Sequence, residues 1–79
     1  MIVIRSTYRY EVEIIDRNHH SLRWILKAQT VAEQHAIDYA FSIESRQTGV
    51  RVVEIRKNLE DGAESRTEIF TNRPEVGLE

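Results

Sequence analysis

From Ile2 to Ile15 the chain alternates. Ile2, Ile4, Tyr8, Tyr10, Val12 and Ile14 share one parity, and Arg5, Thr7, Arg9, Glu11 and Glu13 share the other. A period of two with β-branched and aromatic residues on the apolar parity predicts one long, half-buried strand. The polar run Asp16-Arg17-Asn18-His19-His20 interrupts it. Leu22, Trp24 and Leu26 then alternate with Arg23, Ile25 and Lys27, which predicts a second strand in a hairpin with the first.

Thr30-Val31-Ala32-Glu33 has the spacing of a capping box, in which a threonine hydroxyl and a glutamate satisfy free N–H groups of a first helical turn. A helix is therefore expected to begin at Val31. Ala32, Ala36, Tyr39, Ala40 and Ile43 form its apolar stripe, Ile37 and Phe41 widen it, and Glu33, Gln34, Asp38 and Glu44 fall largely outside it. Gly49 is the expected stop, because glycine accepts the left-handed conformation that commonly ends helices.

Residues 50–57 predict a third strand with apolar side chains on both parities. Val53 and Ile55 are preferred over Val50 and Val52 as its inward side. Asp61-Gly62 is a turn signal, and Thr67–Thr71 predicts a fourth strand. The chain from Asn72 reads as a disordered tail.

The resulting order, β-β-α-β-β, predicts an α+β fold: one helix on one face of a four-stranded antiparallel sheet in the order 2-1-3-4. The long first strand is central and partly unpaired. The domain spans 1–72, and 73–79 is a disordered tail in which Leu78-Glu79 reads as a cloning remnant.

Seventy-nine residues with 41% hydrophobic content suit one small domain. With no cysteine the chain has neither a disulfide framework nor a thiolate metal site, and cytoplasmic residence is the expectation. No run approaches the ~18 apolar residues of a membrane span, so no membrane is expected as partner, and no secretory leader pattern is present. Eleven Lys and Arg against thirteen Asp and Glu lack the basic excess of dedicated nucleic-acid domains.

Several side chains invite a chemical reading. Tyr8, Tyr10 and Trp24 could stack on bases, but their shared parity with the aliphatic residues assigns them to the core. Arg5, Arg9, Arg23 and Lys27 would lie together on the helix-free face beside Glu11 and Glu13. They could contact phosphates, although cross-strand arginine–glutamate pairing is the preferred reading. His19-His20, with Asp16, lacks the spacing of a zinc site, and His35 belongs to the helix. Acidic residues collect on the helix, at Glu33, Asp38 and Glu44, and near the last turn, at Glu60, Asp61 and Glu64.

No nucleophile, base and orienter stand in a recognisable pattern, so no enzyme, cofactor or metal is expected. What remains is a small protein-interaction or regulatory module offering a sheet edge to another strand, with self-association through the overlong first strand or the edge of the fourth as one form. A weak nucleic-acid binder using Arg5, Arg9, Arg23 and Lys27 is the alternative.

Overall fold

Two opposite apolar surfaces on one strand explain how this chain is built. In the computed structural model, which describes residues 5–16, 23–44 and 48–72, β1 (Ser6–Asp16) and β3 (Thr48–Asn58) form the centre of an antiparallel sheet. β2 (Ile25–Thr30) and β4 (Glu64–Thr71) flank them in the order β2-β1-β3-β4. Among the described residues one helix, α1 (Glu33–Ile43), is present, and it connects β2 to β3. The α+β fold and its strand order are as the periodicity predicts. No helix among the described residues is long and apolar enough to cross a membrane.

The helix packs through its smallest side chains. Ala36 and Ala40 are fully buried against Val12 of β1 and Val50 and Val52 of β3, with Tyr10, Ile14, Ala28 and Phe70 around them. Alanine lets the helix backbone approach the sheet closely. Each fully buried valine or isoleucine then contributes about 1.5–3 kcal/mol through loss of apolar surface from water. Phe41 extends the helix toward β4, its ring 4.9 Å from that of Phe70.

The preference for Val53 and Ile55 as the inward side of β3 is corrected. Val50 and Val52 face the helix, while Val53 and Ile55 are equally buried on the other face, beside Glu11 and Arg9 of β1. A central strand covered on both sides carries apolar residues on both parities, which is why parity alone could not choose.

The helix boundaries also differ. Thr30 is the last residue of β2, and its hydroxyl accepts the Ala32 N–H at 3.2 Å in a local turn. The helix starts at Glu33 after Ala32, with no side-chain cap. At the other end the Glu44 N–H donates to the Ala40 carbonyl, and Gly49, the expected stop, lies inside β3 opposite Ile15.

The Asp61-Gly62 turn forms as predicted. The Asn58 carbonyl accepts the Gly62 N–H at 2.8 Å, and the Asn58 and Asp61 side chains accept the N–H groups of Glu60 and Ala63. Gly62 has φ +74°, a backbone conformation that strains other residues.

Asn72 is no part of a disordered tail. Its Oδ1 accepts the Val50 N–H at 2.8 Å and its N–H donates to the Val50 carbonyl at 3.2 Å, fastening the end of β4 to β3. The predicted tail 73–79 and its Leu78-Glu79 end lie outside the described residues.

Candidate functional site: the helix-free face and the β4 edge

The pleat places Arg9, Glu11 and Glu13 of β1 on the face away from the helix, opposite Ile55, Val53 and Arg51 of β3. Across β3, the same face receives Glu64, Arg66 and Glu68 of β4. The charges join into one ladder. Arg9 binds Glu64 at 2.8 Å and approaches Glu11 at 3.7 Å. Arg66 bonds both Glu11 and Glu13 at 3.2 Å, and Glu13 holds the Arg51 Nε at 2.6 Å. Arg51 Nη1 lies 3.9 Å from Glu68. With three arginines and four glutamates, this ladder has a formal charge of −1.

Burial makes the middle of the ladder rigid. Arg51 is 3% exposed, and Glu11 and Glu13 are 9% and 8% exposed. Buried charges in this setting must be matched or they destabilise the fold. The Arg51 guanidinium also stacks over the Trp24 ring, 4.5 Å from its centroid. Trp24 Nε1 and Arg51 Nη1 are buried donors with no hydrogen-bond acceptor among the described residues.

Trp24 therefore sits on the helix-free face, not in the core beneath the helix as its parity suggested. The cause is a register irregularity: Val12 pairs with Ala28 but Glu13 pairs with Leu26, so Lys27 is an extra residue in β2. An extra residue reverses the parity of everything before it. Tyr10 does remain on the helix side, half-buried, with its hydroxyl donating to Glu54 at 3.2 Å. Burial, and next the Glu54 charge, raise the Tyr10 pKa above the usual tyrosine value. Tyr8 is 46% exposed.

Of the four basic residues singled out in the sequence, Arg9 belongs to the ladder. Its hydrogen bond to Glu64 raises its own pKa and lowers that of Glu64. Arg5 precedes β1, its carbonyl accepting the Leu59 N–H, and Arg23 precedes β2. Lys27 is the extra residue of β2 and is exposed. The cations that meet Glu11 and Glu13 at hydrogen-bond distance are Arg51 and Arg66, which sequence reasoning missed. Arg51 inside the apolar run Val50–Val53 was the available signal, since a charge flanked by core residues in a strand must find a buried counter-charge.

His19 and His20 lie outside the described residues. Among the described residues, no group of three His, Asp or Glu side chains is arranged to hold a metal. A cleft at the β3–β4 hairpin is lined by Arg56, Asn58, Ala63, Glu64 and Ser65.

The sheet also offers open backbone. Among the described residues, Tyr10–Ile14 of β1 pair with both β2 and β3, whereas Ser6–Arg9 pair with β3 alone. β4 is a terminal strand. The Asn58 N–H donates to the Ala63 carbonyl at 2.8 Å, which fixes the hydrogen-bond alternation along the β3–β4 ladder. Ser65 and Thr67 direct their N–H and C=O groups to β3, and Glu64, Arg66 and Glu68 direct theirs outward.

Comparison with family models, curated proteins and solved structures finds no match to this chain, so its functional reading rests on the geometry above.

Proposed function

We propose that this chain is a small non-enzymatic protein-interaction module that takes up an extended segment of a partner by strand addition at the outer edge of β4. The outward N–H and C=O groups of Glu64, Arg66 and Glu68 carry this reading, because they form a regular row with no strand beside them among the described residues. An added strand satisfies such groups through main-chain hydrogen bonds, and side chains on either face give specificity. The β2 edge is a poorer template, being six residues long with its extra residue Lys27 in the middle, whereas the extra residue of β4, Ile69, follows the row Glu64–Glu68.

Binding to nucleic acid through Arg5, Arg9, Arg23 and Lys27 is the second reading. Arg9 is already matched by Glu64 and Glu11, and the ladder around it is not positive. Strand addition is preferred for that reason.

The test is capture from native lysate by the tagged chain, with and without nuclease, beside a chemically synthesised chain methylated at the Glu68 nitrogen. The methyl group removes one outward donor and leaves every side chain unchanged. Strand addition predicts a protein captured through nuclease treatment and lost on methylation. Capture indifferent to methylation contradicts it, and recovery of nucleic acid that high salt releases would favour the basic residues.

A further inference from the structure

We propose that the strand taken up at the β4 edge is β4 of a second copy of this chain, paired antiparallel about a two-fold axis with Thr67 opposite its own counterpart. The inference rests on the strand-addition reading and adds the partner and its register.

The charges along β4 select this arrangement. Centring the two-fold at Thr67 sets Arg66 opposite Glu68 of the second copy, and Glu68 opposite its Arg66. Opposite charges directly across antiparallel strands attract, and threonine pairs are favourable there too. Centring it at Arg66 would instead oppose arginine to arginine and Glu64 to Glu68, and centring it at Glu68 would oppose glutamate to glutamate. A centre at Ser65 recovers a Glu64–Arg66 pair, but little of β4 then overlaps, because the strand begins at Glu64.

The backbone agrees with the same register. Arg66 and Glu68 are the residues whose N–H and C=O groups point outward, so each Arg66–Glu68 pair exchanges two main-chain hydrogen bonds. Thr67, whose groups are used by β3, falls at the non-hydrogen-bonded position between them. The side chains are reachable: Arg66 is 46% exposed and Glu68 is 21% exposed. Arg66 bonds Glu11 and Glu13 through its two terminal nitrogens and retains further N–H donors for a second carboxylate. The two four-stranded sheets would become one continuous sheet with both helices on the same face.

The chain has no cysteine, so a single introduced thiol reports the register. Non-hydrogen-bonded partners stand about 4.5 Å apart at Cα, within the range of roughly 4.4–6.8 Å that a disulfide spans. The experiment is sedimentation equilibrium of the wild-type chain over a concentration series, with mild oxidation of Thr67→Cys and Ser65→Cys. Circular dichroism would check that both variants are folded. In the proposed register the two Ser65 residues are on the order of 13 Å apart along the strands.

The expected result is a wild-type mass rising to twice that of the chain, with rapid covalent dimer formation by Thr67→Cys and at least tenfold slower formation by Ser65→Cys. A dimer in which Thr67→Cys links no faster than Ser65→Cys overturns the register. A monomer at every concentration overturns self-pairing. Capture lost on methylation at Glu68 would still support strand addition by another protein, so the two ideas fail separately.

Discussion

Glu13 and Arg51 stand directly opposite each other on β1 and β3, and the Arg51 Nε donates to the Glu13 carboxylate at 2.6 Å where both side chains are almost fully enclosed. Breaking such a pair removes the more buried of the two cations that Glu13 meets, Arg66 being the other, at a cost of up to about 3–5 kcal/mol. Arg51→Met should lower unfolding free energy in urea by that order. The double variant Glu13→Leu/Arg51→Met should recover much of the loss, because apolar residues of similar volume need no counter-charge. A double variant no more stable than the single one would show that the pairs with Arg66 and Glu68 dominate.

Glu64 shows the opposite regime, an exposed pair sensitive to pH. The Arg9 hydrogen bond holds the Glu64 carboxyl below its ordinary value of 4.5. The native state therefore keeps the charged form longer than the unfolded state. The pair's contribution is present above pH 4.5 and lost as pH falls from there through the lower native value. The melting-temperature gap between wild type and Glu64→Gln should be largest near neutrality, and should close in acid. A gap that is constant with pH would exclude this linkage.

At the alkaline end the sign reverses for Tyr10. Its native pKa lies above 10.0, so the neutral hydroxyl is favoured in the fold. This contribution is complete below pH 10.0 and declines as pH rises through the native value. Absorbance titration should show a late ionisation in the wild type that is lost in Tyr10→Phe. Glu54→Gln should shift that late step toward lower pH, since it removes a neighbouring negative charge.

Asn72 closes the sheet at the far end of β4. Its side chain is an acceptor for the N–H of fully buried Val50, and an unsatisfied buried donor costs about 1–3 kcal/mol. Asn72→Ala should destabilise the chain by that order in urea titration and speed exchange of the Val50 amide. Exchange at Val50 unchanged from wild type would mean that another acceptor replaces the side chain.

The regular alternation of β1, the alanine stripe of α1 and the Asp61-Gly62 turn made the topology legible from sequence, because each depends on local spacing. The misreadings came where tertiary structure overrides spacing. Lys27 as an extra residue moved Trp24 to the other face, and Thr30 resembled a helix cap while ending a strand. Gly49 looked like a stop signal but pairs within β3. The candidate edge was visible only in outline. Arg66 and Glu68 acquire meaning once the ladder shows that their backbone groups point outward.

The central claim is that the row of outward groups on β4 receives another β4. Amide hydrogen exchange, followed residue by residue over a concentration series, tests it most directly. Ser65 and Thr67, bonded to β3, should be protected at every concentration, while Arg66 and Glu68 should exchange fast when dilute and slow markedly as the chain is concentrated. Arg66 and Glu68 amides that exchange equally fast at all concentrations would contradict the account.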